Sequence, residues 1–332
     1  MISGRATGAS LLALITCAAA LAPGLTSHRP IQRFPDFVNA PPMRPHIVGQ
    51  DGNLSRPFIY PIRLVDLLEG RYEEDTDHPI PIRWFADGVV VSVDESRGPW
   101  LPLGADPLGR DVLARLLYGA RLSLGLACTA SLGALMIGLA IGGVAGFYGG
   151  WTDRLLMALA DFIIVLPAMY VVLSVRAALP LVLTATQVFL ALTIVLTLAG
   201  WPLAARGVRV IVAAERRKAY AEAAYALGAR PWRILLRHVL PSTTGFLVTT
   251  GMMMVPAFAL MEVTLSLVGL GFPTPTATWG AMLRDAWERG AITNAPWLMA
   301  PAAALVLTVL ALHLLSGGRD LGRLEPAHFR KY

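Results

Sequence analysis

The sequence predicts an all-α polytopic membrane protein, and three observations carry the prediction. Of 332 residues, 55% are hydrophobic and only 15% are charged, against about 25% charged in a soluble globular domain. Uncharged apolar runs recur along the chain at lengths near the ~20 residues needed to cross a bilayer. Much of the positive charge, which leaves a formal net charge of +6, gathers in one connection between those runs. This composition excludes an ordinary soluble enzyme, a disordered chain and a disulfide-stapled secreted domain. Cys17 and Cys128 both fall in apolar stretches and make neither a disulfide framework nor a metal spacing.

Six transmembrane helices are expected. Ala9 to Leu25 is uncharged and preceded by Arg5; residues 1–25 read as an N-terminal anchor helix, with a cleaved signal peptide as the alternative. Leu122 to Phe147 is the second span, without a charge. Leu155 to Val175 is the third, interrupted by Asp161 and Pro167. Leu181 to Ala205 is the fourth, uncharged but dotted with threonines and Gln187. Thr243 to Phe272 is the fifth, with Glu262 its only charge. It exceeds one crossing, so it tilts, kinks at Pro256 or extends past the surface. Trp297 to Leu315 is the sixth.

Residues 26–117 differ from the rest. They are proline-rich, with short β-like runs at Ile80 to Phe85 and Val89 to Val93, and read as a small, mostly extended extracytoplasmic segment. Near its end, Val112, Leu113, Leu116, Leu117 and Ala120 form an apolar stripe opposite Asp111, Arg115 and Arg121. That stripe reads as an interfacial helix leading into the membrane, or as a core helix of the outer segment. Residues 118–316 then form a five-helix core and 317–332 a cytoplasmic tail. Orientation rests on loop 206–240, where eight Lys or Arg face two acids, Glu215 and Glu222. Such a loop is cytoplasmic, and six spans place both termini on the same side.

Within the second span, Ala130, Ala134, Gly138, Gly142, Gly146 and Gly150 recur every four residues. Small residues in that register let another helix approach closely. Glu262 and Asp161 are charges inside spans, where insertion costs about 2.5–3.5 kcal/mol. They read either as lining a translocation path or as satisfied packing residues.

Catalytic motifs are missing. No phosphate-binding loop, zinc-type His pair or nucleophile elbow occurs, so no catalytic residue and no metal site are expected in this chain. The informative stretch is Ala219 to Trp232, a run of helix formers stopped by Gly228 and Pro231. The residues alone allow a surface connector or a docking element.

Glu222-Ala223-Ala224, three residues, Gly228, nine residues and then His238-Val239-Leu240-Pro241 resemble the "EAA" loop of binding-protein-dependent ABC importer permeases. His238 stands where the broad pattern has Ile. Leu103 to Leu124, with its Gly-Arg-Asp at 109–111, is similar to the segment before span two of dipeptide, oligopeptide and nickel permeases. Leu265 to Gly271, Thr278-Trp279-Gly280 and Ala295-Pro296-Trp297 also resemble that group, specifically its dipeptide-permease C type. Its C-terminal signature is only approximated by Arg319-Asp320 and Leu324-Glu325-Pro326. The resemblance implies a non-catalytic inner-membrane subunit that forms half of a translocation pathway. It implies a homologous permease partner, two ATPase subunits holding ATP and Mg, and an extracytoplasmic solute-binding protein. Glu222, Ala223, Ala224, Gly228, Leu240 and Pro241 would couple to the ATPase. The implied solute is a di- or oligopeptide, with nickel or another small solute as the alternative. A secondary transporter is the alternative of another class, though neither intramembrane ion sites nor inverted repeats are evident in the sequence.

Overall fold

The computed structural model describes residues 2–49, 54–66, 70–86, 88–166, 170, 174, 183–288 and 295–316. The expected tail 317–332 and most of the second half of the third span lie outside the described residues. The chain divides into two compact units. One holds Met1–Ser10, Leu124–Met261 and Val309–Tyr332; the other holds Leu11–Ser123 and Glu262–Thr308.

Eight helices are labelled here: α1 (Ile2–Ala20), α2 (Val112–Tyr148), α3 (Gly150–Val165), α4 (Ala185–Glu215), α5 (Ala219–Ala226), α6 (Pro231–Leu267), α7 (Trp279–Glu288) and α8 (Ala300–Ser316). Among the described residues, α2, α4, α6 and the helical run Pro296–Ser316 are long and apolar enough to cross a membrane. The first expected span begins and ends earlier: α1 runs from Ile2 to Ala20, and a separate turn of helix, Ala22–Leu25, follows.

Three helix boundaries depart from the sequence reading. The expected interfacial helix is not a separate element, because α2 runs unbroken from Val112 to Tyr148. No proline interrupts it, and isolated glycines inside a helix cost only about 1 kcal/mol each. Its first turn is buried, with Val112 packed among Met282, Ala286, Ala295 and Leu298. Second, α4 continues to Glu215 instead of ending at Ala205, since nothing from Arg206 onward breaks a helix. Loop 206–240 is therefore two helix ends around a connection at residues 216–230. Third, Thr184 and Gln187, which the sequence places inside span four, form the capping box that starts α4. Gln187 N–H donates to Thr184 Oγ1 (3.3 Å) and Thr184 N–H to Gln187 Oε1 (2.9 Å), so two backbone N–H groups at the start of the helix are satisfied.

The outer segment builds seven short strands: β1 (His46–Val48), β2 (Leu54–Ile59), β3 (Ile62–Asp66), β4 (Arg71–Glu74), β5 (Ile80–Pro81), β6 (Arg83–Trp84) and β7 (Val91–Ser92). They pair antiparallel as β1-β2-β5, β3-β4 and β6-β7. Pro57 lies in β2 where its register against β1 shifts between Val48↔Leu54 and His46↔Phe58. A residue without an N–H fits such an irregular stretch. Ala40, Met43, Ile59, Ile62, Ile80, Ile82, Val93, Leu101 and Ala105 close a small core beneath these strands.

In the other unit α3 lies on α4 through Ala160, Trp201 and Ala205. Two ion pairs join the same helices. Arg209 forms a fork on Asp153 (2.9 and 2.5 Å), and Arg206 pairs with Asp161. Gly138, Gly142 and Gly146 of α2 face α4. A Cβ on Gly138 would sit 2.5 Å from Ala204 Cβ, one on Gly146 2.5 Å from Arg209 O, and one on Gly142 would overlap Ala205 O. Real Cβ contacts never come so close, so these backbones meet only because the side chains are absent.

Candidate functional site

Helix α5 occupies the connection between α4 and α6. Ala221 is buried and Ala224 half-buried, packed with Val208 and Val212 of α4 and with Ile234, Leu235 and Val239 of α6. The opposite face is open, carrying Glu222, Ala223, Tyr225 and Leu227, the last 89% exposed. Gly228 terminates the helix at φ +80°. Its N–H bonds Tyr225 O (2.9 Å) and the next N–H, of Ala229, reaches Ala224 O (3.1 Å). That pair of bonds is a Schellman cap, which requires a left-handed residue and so favours glycine. At the other end Tyr220 donates to Glu215 Oε2 (2.8 Å). Burial, then that bond, push the Tyr220 hydroxyl up to about 12, so it remains a donor at neutral pH.

Pro241 shapes the start of α6. It has no N–H for Arg237 O, and its ring crowds that carbonyl. The helix widens just before it into a π-turn, Leu235–Val239, where Leu240 N–H reaches back to Leu235 O. It then tightens through Leu240–Thr243. The Leu240-Pro241 ending is thus a built distortion at the root of a long helix, of the kind found at functional positions.

Glu262 lies within α6 and is fully buried (0% exposed). Ser266 Oγ (2.9 Å) and Thr278 Oγ1 (2.9 Å) donate to Oε1, and Ser123 Oγ (3.2 Å) to Oε2. Gly280 N–H donates as well. Two of the hydroxyl hydrogens have fixed directions. Ser123 Oγ accepts from Trp279 N–H (3.0 Å) and Thr278 Oγ1 from Ala281 N–H (3.0 Å), which leaves each hydrogen for the carboxylate. Glu262 therefore ties α2 and α6 to the N-terminus of α7, where negative charge is favoured. A Cβ on Gly280 would sit 2.8 Å from Glu262 Oε1, so the close approach needs glycine. In this conformation the Glu262 side chain is enclosed by these donors.

A second buried node lies at the start of α2. Arg110 and Arg115 are each 1% exposed. Arg110 Nε donates to Asp106 (2.7 Å) and its Nη2 to Asp285 of α7 (2.6 Å). Arg115 pairs with Asp106 and reaches Asp285 at 3.1 Å. Two arginines and two aspartates balance, the arrangement buried charges require. Asp111 caps α2 through Leu113 N–H (2.8 Å) and accepts from His28 Nδ1 (2.9 Å).

Residues 138–317 match the family described as binding-protein-dependent transport system inner membrane component. The oligopeptide transport system permease protein OppC of Bacillus subtilis is 34% identical over 233 residues, 70% of this chain and 72% of its own. The chain belongs to this permease family. The glutathione transport system permease protein GsiD of Pectobacterium atrosepticum is 35% identical over 226 residues, 68% of this chain and 72% of its own. A solved inward-facing structure of the MetNI methionine ABC transporter aligns with a TM-score of 0.48 and 20% identity, covering 62% of this chain and 94% of that one. The protein is thus an ABC importer permease subunit, a multi-pass component of the inner membrane.

Against this family the sequence-selected residues sort into separate places in the permease. Glu222, Ala223, Ala224, Gly228, Leu240 and Pro241 belong to one continuous feature, α5 and the root of α6. Asp161 belongs to one unit and Glu262 to the other. Asp161 is paired with Arg206 and its side chain is 55% exposed in this chain. The Asp106–Arg110–Arg115–Asp285 node was not foreseen as a node. Its only sequence signal was Gly-Arg-Asp followed by Arg115 on the polar side of an otherwise apolar stripe.

Proposed function

We propose that the permease carries di- or oligopeptides and transmits ATPase closure through α5. The relatives named for oligopeptide and glutathione transport support this substrate class. ATP and Mg then belong to partner ATPase subunits, and solute arrives from an extracytoplasmic binding protein to a pathway shared with a second permease subunit. The topology consistent with this has six spans, with the basic connection 216–230 and both termini cytoplasmic.

One observation carries the reading. Helix α5 is fixed on one face by Ala221 and Ala224, bare on the other, and closed by a glycine cap. A connector has no need of Tyr225 and Leu227 presented to solvent, whereas a docking helix does. The fixed face would pass a push on α5 directly to α4 and α6.

Gly228→Val tests the cap. No atom lies within 4 Å of a Cβ there, so the substitution acts through φ alone, which a β-branched residue adopts poorly. Glu222→Lys alters the open face without touching the packing. Each variant should insert in the membrane normally. Peptide uptake should fall about tenfold or more, the scale of losing a central interface residue, and fewer ATPase subunits should co-purify. Wild-type uptake together with wild-type ATPase recovery in both variants would mean that α5 is only a connector.

A further inference from the structure

The hairpin of β6 and β7 carries an aromatic pair that the core of the outer segment does not use. Trp84 is 57% and Phe85 81% exposed. Phe85 also sits at φ +53°, in the left-handed region that a bulky side chain adopts poorly. Strain of this kind persists only where the surroundings hold it, and it collects at functional positions. Here the Phe85 N–H donates to Val90 O (2.9 Å), and Trp84 pairs with Val91 across the strands.

Three contacts set the direction of the hairpin. Val90 N–H donates to Gly24 O (2.7 Å), Ser27 Oγ donates to Val91 O (3.3 Å), and Glu95 reaches His28 at 3.6 Å. Gly24, Ser27 and His28 follow in that order out of the apolar run that closes at Leu25. The turn end of the hairpin therefore points back toward α1, and its foot leads away into the outer core at Val93. Depth is set by α2, whose uncharged run opens at Leu122. Arg121, one residue earlier, bonds Ala19 O and Ala20 O, so those carbonyls stand close to the level where the hydrocarbon begins. Gly24 lies four residues beyond Ala20, about 6 Å of helix. The headgroup layer is itself about 5–7 Å deep on each side of a bilayer. Phe85, level with Gly24 through Val90, falls within that layer, and Trp84 stands at its outer edge.

We propose that the Trp84–Phe85 hairpin is a membrane anchor, its turn end seated in the headgroup layer of the extracytoplasmic leaflet beside the end of α1. Only the name of the leaflet rests on the topology given above. Lipid is the occupant because the pair stands on the side of the outer segment that faces the membrane, whereas a solute-binding protein arrives from the opposite side. Leu21, exposed at the end of α1, continues the same apolar surface. Aromatic side chains suit this boundary, where an apolar ring meets the acyl region and polar groups stay wet. Arg83 and Asp87 flank the pair in sequence, and their charges restrict it to the boundary rather than the hydrocarbon.

The test uses the complete transporter in phosphatidylcholine nanodiscs. Cys17 and Cys128, both exposed, are replaced by serine, and a nitroxide is placed on Phe85→Cys or, as the reference, on Ser96→Cys. Ser96 is exposed and lies beyond the His28 contact, farther along the chain from the hairpin turn. Collision with oxygen, which partitions into lipid, is compared with collision with a water-soluble nickel chelate. The ratio of oxygen to nickel accessibility should be severalfold higher at 85 than at 96. A second arm keeps an aromatic ring in place. Phe85→Trp adds one fluorophore to the eight tryptophans of the chain, and its emission, taken as the difference from the parent, should be quenched by phosphatidylcholine brominated at the top of the acyl chains.

Equal ratios at 85 and 96 would place the hairpin in water and overturn the proposal. So would protection of label 85 from both reagents, which assigns the pair to a contact with the second permease subunit or the binding protein. Absence of bromine quenching of the Trp at 85 overturns it as well. None of these readings uses ATP or solute, so failure of α5 as the docking helix, seen in Gly228→Val, leaves them unaltered.

Discussion

Glu262→Leu is expected to prevent the permease from accumulating as a folded membrane protein. Leucine removes the acceptor for Ser123, Ser266 and Thr278 hydroxyls and for the Gly280 N–H at once. Ser123 and Thr278 already accept from Trp279 and Ala281, so their hydrogens have nowhere else to point without giving up those bonds. Each buried donor left without a partner costs about 1–3 kcal/mol. Losing several together is comparable with the ~5–15 kcal/mol that holds a whole domain. Glu262→Gln should be milder but still damaging, because its amide would turn two hydrogens toward groups that also donate. Recovery of monodisperse protein in mild detergent, and its thermal midpoint, measure this directly. The expected order is wild type, then Gln, then Leu at or near no recovery. A Leu variant with the wild-type midpoint would remove Glu262 from its place as the tie between α2, α6 and α7.

The second large effect belongs to Gly142. Its missing Cβ lets α2 lie against the Ala205 carbonyl of α4, with Ala205 Cα only 3.0 Å from where that Cβ would stand. The obstacle is backbone, which cannot swing aside as the end of a flexible side chain can. Gly142→Leu must therefore push the helices apart along the line from Gly138 to Gly146. Overpacking of a side chain against side chains costs about 1–3 kcal/mol, and against backbone it costs more. Separating α2 from α4 also takes Val208 and Val212, both fully buried, out of the packing that seats α5. Assembly with the other subunits should fall with stability. Gly142→Ala should show the same direction at smaller size. Pull-down of the complete complex, compared with membrane levels of the permease alone, distinguishes loss of assembly from loss of insertion. Full recovery of a stable complex from Gly142→Leu would show that this contact opens without consequence.

Local chemistry was legible in the chain. The runs that became α2, α4, α6 and the Pro296–Ser316 helix stand out because about 20 residues without charge have few alternatives to a spanning helix. The end of α5 was equally readable, since Gly228 supplies a left-handed cap and Pro231 restarts a helix at its first turn. The every-four-residue glycines announced a close helix contact but not its partner. Helix ends were read less well. Arg206 and Arg209 looked like the start of a loop, yet their carboxylate partners Asp161 and Asp153 let the helix keep them. Thr184 and Gln187 looked like polar spots in a span and are a cap.

What the sequence determined by itself is therefore the membrane character, the family and the short helix α5 with its stop, because each is encoded within a window of a few turns. The tertiary structure alone shows which groups meet the buried charges. Glu262 meets Ser123 across 139 residues of chain, and Arg110 meets Asp285 across 175. Whether a charge inside a span is a solute contact or a tie between helices depends on what packing brings to it from far along the chain. A carboxylate removed from water persists only where donors converge on it, and no local pattern records that convergence.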